Sequence, residues 1–291
     1  MNVLHYKNIV LPMLVESFDE REAENLFKFA LEDYFKKRYF DIKDYSLNDD
    51  EIEELNYIYE KISNHYPIQY IFNSAHFYGS DFYVDENVLI PRPETEELVH
   101  LILSENKQER LSVLDIGTGS GCIAVSLKKH RNEWNIFAID NSENALEVAK
   151  VNALKNHTEI EFFNHDILQS TAFSVDARLY METEDAPPLM LDIIVSNPPY
   201  IPLKEKEKMS VSTVQFEPHT ALFTDDANPL LFYDKIADFA TEHLTKHGKL
   251  YFELNEFNAE SVNDLLHLKG FHSIAIHKDL AGKDRMLLAQ R

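Results

Sequence analysis

The stretch richest in usable chemistry is Asp192-Ile193-Ile194-Val195-Ser196-Asn197-Pro198-Pro199-Tyr200. An apolar run rich in β-branched residues reads as a buried parallel strand, and it stops at a polar Asn followed by two prolines. Proline steers the residue before it away from the helical region, so Asn197 and Pro198 are expected to be extended. Neither Pro198 nor Pro199 has a backbone N–H to donate. What remains is a stiff turn of acceptors, the Asn197 side-chain oxygen and the Pro198 carbonyl, with the flat ring of Tyr200 beside them. Such a turn suits a planar NH2 whose hydrogens need acceptors while something happens at the nitrogen. A bare Asn-Pro more often marks an ordinary turn. Four such residues at the carboxyl end of a central strand point to a site.

A second constellation lies upstream. Val113-Leu114-Asp115-Ile116 runs into Gly117-Thr118-Gly119-Ser120-Gly121 and then Cys122 to Leu127, which reads as strand, glycine turn, helix. Glycines let the backbone approach a ligand closely and let the helix pack tightly. Asp140 ends the next strand about twenty residues on, where a carboxylate accepts from both hydroxyls of a ribose. NAD and S-adenosylmethionine both carry that ribose, and the order Gly-x-Gly-x-Gly leans toward the latter. Asp115 is a candidate to position a methionine amino group, directly or through the loop. Asp166 is a candidate acceptor for an adenine NH2, with a helix cap or turn role equally open. Cys122 is the single cysteine, so no internal disulfide forms; a small buried hydrophobe is the expectation for it.

These residues need a scaffold. From Ser112 onward candidate strands alternate with helices, at Ser112–Ile116, Asn135–Asp140, Glu159–Phe163, Leu191–Ser196, Gly248–Leu254, Ser273–Ile276 and Met286–Ala289. Helical runs span Ser142 to Asn156 and Leu230 to Leu244. The pattern predicts an α/β domain with a doubly wound, mostly parallel seven-stranded sheet. Residues 1 to about 75 contain no glycine and show helical stripes over Glu16–Lys37 and Asn48–Ile62, which predicts a small N-terminal helical domain. His76 to Leu89 alternates aromatic and polar residues around Gly79 and reads as a β-hairpin linker. The expected division is 1–73, a helical domain read either as packing alone or, more sharply, as a grip on a partner protein; 74–97, hairpin and linker; and 98–291, the catalytic domain. Gln169 to Met190 reads as a surface insertion.

Composition narrows the function. With 50 acidic and 28 basic residues the net charge is −22, which works against phosphate backbones and favours a protein or small-molecule substrate. No apolar run approaches a membrane span and the first residues lack a secretory pattern. The expectation is a cytoplasmic monomer with no membrane partner and no direct nucleic-acid binding. The histidines show no metal-binding spacing, so no metal is assigned.

Taken together, Gly117 to Gly121, Asp140 and Asn197-Pro198-Pro199-Tyr200 resemble the class I S-adenosylmethionine-dependent methyltransferases that act on a planar nitrogen. The run Val88-Leu89-Ile90-Pro91-Arg92-Pro93-Glu94-Thr95-Glu96 narrows this to a resemblance to the release factor glutamine N5-methyltransferase family. Phe77-Tyr78-Gly79, Phe216-Glu217-Pro218 and Asp279 to Arg285 agree with it. The resemblance covers roughly residue 66 onward. It implies transfer of a methyl group from S-adenosyl-L-methionine to the glutamine of the Gly-Gly-Gln motif in class 1 peptide-chain release factors, leaving S-adenosyl-L-homocysteine. It also implies that Gly117, Thr118, Gly119, Ser120, Gly121, Asp140, Asp166 and Asn197 hold the cofactor. Asn197, Pro198, Pro199 and Tyr200 would hold the amide, with Tyr200 packed on its plane. The alternative is an adenine-N6 nucleic-acid methyltransferase, which uses the same acceptors. The chain departs from the family at Glu253-Leu254-Asn255, where many members have Glu-x-Gly, at Ile167, where an aromatic is common, and in the length of the insertion. A structural ion pair is expected for Arg92, and Glu217-Pro218 is read as either a brace for the catalytic loop or an ordinary turn.

Overall fold

The computed structural model describes residues 1–169 and 190–291, so the insertion expected over Gln169–Met190 lies, but for its two ends, outside the described residues. The chain divides into two compact units, Met1–Ser74 with Met209–Phe216, and Ala75–Lys208 with Glu217–Arg291.

The first unit is helical: α1 (Val3–Val15), α2 (Glu20–Phe35), α3 (Tyr39–Ile42), α4 (Asp49–Ser63) and α5 (Ile68–Ile71). The two long amphipathic helices start where side chains replace missing intrahelical acceptors. Asp19 accepts from the Glu22 N–H, and Asn48 with Glu51 forms a reciprocal capping box. Each such cap contributes about 1 kcal/mol. The Asp19 cap is why α2 begins at Glu20 rather than at Glu16 as the stripe predicts. Ala23, Phe27, Ala30 and Leu31 of α2 pack with Leu55, Ile58, Tyr59 and Ile62 of α4 and with Val3, Tyr6, Val10 and Leu14 of α1. Phe27 stacks on Tyr59 with centroids 5.4 Å apart, and the Tyr59 hydroxyl donates to the Phe27 carbonyl at 2.8 Å. Phe216 joins this unit edge-on to Tyr66 at 4.9 Å, which is how a segment far along the sequence belongs to it.

In the second unit the hairpin strands β1 (Ala75–Phe77) and β2 (Ser80–Phe82) are antiparallel. Tyr78 and Gly79 turn them with φ of 46° and 73°, the left-handed pair that matches strand twist in a two-residue hairpin. Helix α6 (Pro93–Glu105) has proline in its first turn, where a missing N–H costs nothing. Then come β3 (Ser112–Ile116), α7 (Cys122–His130), β4 (Asn135–Asp140), α8 (Glu143–Lys155), β5 (Glu161–Asn164) and β6 (Leu191–Ser196). The chain continues with α9 (Leu231–His243), β7 (Leu244–Glu253), α10 (Ala259–Leu268), β8 (His272–Lys278) and β9 (Asp284–Gln290).

The sheet order is β8-β9-β7-β6-β3-β4-β5. Only β9 runs against its neighbours. This is the doubly wound, mostly parallel seven-stranded α/β sheet expected, with strand ends shifted by a few residues. Alternate residues of each central strand serve opposite faces. Val113, Ile136, Ala138, Ile193 and Val195 pack under α6 and α7. Leu114, Phe137, Ile139 and Ile194 pack with Tyr233, Ile236, Val262 and Leu266 of α9 and α10. Burial on both faces is what makes β3, β4 and β6 read as near-continuous apolar runs. The chain winds outward from β3 to β4 and β5, then returns to lay β6 on the other side of β3. The carboxyl ends of β3 and β6 therefore flank the switch point, where open α/β sheets place their ligands.

Candidate active site

Ile116 and Ser196 are register partners on β3 and β6, so Gly117 and Asn197 leave the sheet side by side. The Ser196 hydroxyl donates to the Ile116 carbonyl at 2.7 Å and ties the two exits together. The Gly117 and Thr118 N–H groups both donate to the Ile139 carbonyl, at 2.9 and 3.0 Å, which fixes the glycine turn against the end of β4. Asp140 continues that strand. Its two carboxylate oxygens accept from the Gly119 and Ser142 N–H groups, each at 2.9 Å. Burial raises its pKa, and these backbone donors oppose that rise.

A cavity of about 290 Å³ opens here, at the lower end of the size range of small-molecule sites. Gly117, Thr118, Gly119, Ser120, Asp140, Asp166, Ile167, Asn197, Pro198 and Pro199 line it, with Arg92 and Thr95 from the start of α6. A Cβ added to Gly117 or Gly119 would meet nothing within 4 Å, so their backbone faces open space. The Ser120 hydroxyl is buried without a hydrogen-bond partner. The Asp140 carboxylate keeps acceptor capacity beyond its two backbone bonds, since it offers about four acceptor positions. Bare backbone, a spare hydroxyl and a diol-ready carboxylate fit an adenosine-bearing cofactor.

The structure places four of the expected residues in more detail. Gly121 does not line the cavity; it caps α7 at φ 78°, and its added Cβ would fall 3.1 Å from Ala149 Cβ, so it allows α7 to lie close to α8. Asp115 is wholly buried behind the turn, where it accepts from the Thr118 hydroxyl at 2.7 Å. Burial lifts its pKa to about 7. Asp166 lines the cavity, and its side chain accepts from the Leu168 N–H at 2.9 Å in the turn role the sequence left open. Tyr200 is not among the cavity-lining residues. Its ring packs against the core under α9 and its hydroxyl donates to Glu253 at 3.0 Å. Burial raises its pKa strongly. Cys122 is buried and its thiol is pushed up to about 12, the behaviour of a small hydrophobe rather than a nucleophile.

Two residues gain weight from the structure. Thr95, which in the sequence marks only a helix start, bonds both Asn197 and Glu253 through its hydroxyl. Glu253, which in the sequence stands out only as part of a departure from the Glu-x-Gly pattern, is 1% exposed and holds Thr95 and Tyr200 together. A carboxylate in an apolar strand was the available signal, because such a group is buried only with partners. Arg92 pairs with Glu217 at 2.7 Å, and the other Glu217 oxygen accepts from the Ile90 N–H at 3.1 Å. Arg92 is thus in the ion pair expected, and Glu217 braces the Ile90–Arg92 segment beside the cavity.

The sequence pattern described as methyltransferase small domain matches residues 95–222. A release factor glutamine methyltransferase of Flavobacterium psychrophilum is 38% identical over 99% of this chain and 98% of its own length. The chain belongs to the release factor glutamine methyltransferase family. A relative of the same name from Lactococcus lactis is 41% identical over 83% of both chains. Among solved structures, a methyltransferase from Pyrococcus furiosus shares the fold, with a TM-score of 0.50 and 18% identity over 82% of this chain and 97% of that one. The relative matched end to end includes the N-terminal helices, so likeness to the release factor glutamine methyltransferases extends through residues whose motifs are weak. Among the described residues no helix is long and apolar enough to cross a membrane.

Proposed function

We propose that this chain transfers a methyl group from S-adenosyl-L-methionine to the side-chain amide nitrogen of the glutamine in the Gly-Gly-Gln motif of class 1 peptide-chain release factors. The observation that carries the reading is one cavity shared by the glycine turn, Asp140 and the Asn197-Pro198-Pro199 acceptors. In this reading Gly117 to Ser120 and Asp140 would hold the cofactor, Asp140 by accepting from the ribose hydroxyls, and Asp166 and Ile167 would meet its adenine. The cofactor supplies an electrophilic methyl on a sulfonium.

An amide nitrogen is a poor nucleophile because its lone pair is delocalised into the carbonyl. Asn197 and the Pro198 carbonyl accept the two amide hydrogens and orient the nitrogen. Transfer needs reacting atoms about 3–3.5 Å apart and aligned, which a rigid proline turn favours. The same two acceptors stabilise the positive charge that develops on nitrogen. The proton leaves to solvent after transfer.

The N-terminal helical unit is read as a grip on the release factor. Exposed Phe29, Phe40 and Tyr57 on that unit support this, since large aromatics left at a surface are common at protein interfaces. A cytoplasmic place follows from the substrate.

The test is radiolabelled methyl transfer with purified release factor and unmethylated DNA offered together. Label on the glutamine of Gly-Gly-Gln, lost when that glutamine is replaced, is the expected result. Label on adenine would overturn it in favour of a nucleic-acid enzyme.

A further inference from the structure

Asn197 can serve as an acceptor only if its amide oxygen, and not its NH2, faces the cavity. A chain of hydrogen bonds behind it decides which. The Thr95 hydroxyl lies 2.6 Å from Glu253 Oε2, and the Tyr200 hydroxyl lies 3.0 Å from Glu253 Oε1. Thr95 and Glu253 are buried to 2% and 1% exposure, so water does not compete for these bonds. Burial raises the Glu253 pKa, while the Thr95 and Tyr200 hydroxyls and the Arg285 charge oppose that rise. In its ionised form Glu253 has no proton to give, and both hydroxyls donate to it. Each hydroxyl has one proton. Thr95 has then spent its own on Glu253, and toward Asn197 it offers lone pairs alone. Asn197 approaches the Thr95 oxygen at 3.2 Å and can meet it only with Nδ2–H. Its Oδ1 is left for the cavity that Asn197 lines.

We propose that Thr95 and Glu253 are positioning residues that set the polarity of the Asn197 amide, and with it the preference of the site for a substrate that donates. This rests on the methyl-transfer reading above. A glutamine NH2 satisfies the acceptors, whereas the carboxylate of a glutamate in the same place would bring lone pairs against lone pairs. Buried sites built to pair one kind of group reject an isostere of opposite polarity strongly, because their own polar atoms are left unpaired.

The test reads the orientation of Asn197 directly and needs no substrate. The side-chain amide of Asn197 is observed by nitrogen-15 NMR, assigned by its loss in Asn197→Ala. In the parent one of its protons is protected from exchange by the Thr95 oxygen. Thr95→Val removes the oxygen in nearly the same volume and abolishes the protection, while Thr95→Ser keeps it. In parallel, Thr95→Val lowers kcat for release factor by about tenfold or more, while the dissociation constant for S-adenosyl-L-methionine stays within about threefold. Thr95→Ser restores kcat to within about threefold of the parent. Glu253→Gln leaves Thr95 and Tyr200 competing for one acceptor, so its amide protection falls between parent and Thr95→Val. Unchanged Asn197 protection in Thr95→Val overturns the proposal, as does a Thr95→Ser enzyme as slow as Thr95→Val. A parent that methylates no release factor would count against the substrate assignment alone, because the amide signal is read without it.

Discussion

Asp115 shows how one buried side chain ties the site to the stability of the whole. Its carboxyl is removed from water and its pKa rises from 3.8 to about 7, with burial outweighing the Thr118 hydroxyl that favours the charged form. A raised folded pKa means the folded state prefers the protonated acid. That preference stabilises fully below the unfolded pKa near 4 and is lost as pH climbs through about 7. The full swing corresponds to about 4 kcal/mol, at roughly 1.4 kcal/mol per pKa unit. Asp115→Asn lacks this loss. Denaturant titrations of parent and variant without cofactor are therefore expected to show the variant gaining about 2–4 kcal/mol relative to the parent between pH 4 and 8. A difference that stays constant with pH would contradict the burial of an ionisable Asp115. Nothing in the sequence marked this residue as buried rather than ligand-facing, because both roles place an acid just before a glycine turn.

At the scale of elements, the three glycines of one turn have separate causes. Gly119 has φ 54° and open space where a Cβ would stand, whereas Gly121 has φ 78° and Ala149 Cβ only 3.1 Å from it. Both substitutions carry the left-handed cost of about 1–2 kcal/mol, and Gly121→Ala adds a clash between α7 and α8. Gly121→Ala is expected to lower the thermal midpoint more than Gly119→Ala. Gly119→Ala is expected to weaken binding of S-adenosyl-L-methionine by about tenfold, since its methyl enters the cavity edge. Scanning calorimetry and a cofactor titration on the two variants check both statements. The strand-turn-helix was legible because apolar runs, glycines and a following helix stripe all agree locally. The placement of Tyr200 was not. Its direction is set by Glu253, which lies on a strand more than fifty residues later, and local pattern carries no information about that pairing. The segment Met209–Phe216 was illegible for the same reason, being joined to the helical unit by Phe216 and Tyr66.

For the molecule as a whole, a net charge of −22 is a standing self-repulsion. Salt screens exposed charges over about 10 Å at 0.1 M, so the thermal midpoint is expected to rise by a few degrees between low and moderate salt. A midpoint that falls with salt would mean that exposed ion pairs, not repulsion, dominate the surface. The same charge works against long-range attraction to phosphate backbones, so recognition at the site rests on local chemistry. That chemistry converges on the switch point of the sheet, where β3 delivers the glycine turn and β6 delivers Asn197. The most direct measurement is methyl transfer to release factor by Asn197→Ala, alongside a titration with S-adenosyl-L-methionine. Loss of transfer with cofactor affinity close to that of the parent is the predicted result. Transfer at the parent rate would show that the Asn197-Pro198 acceptors do not hold the reacting amide.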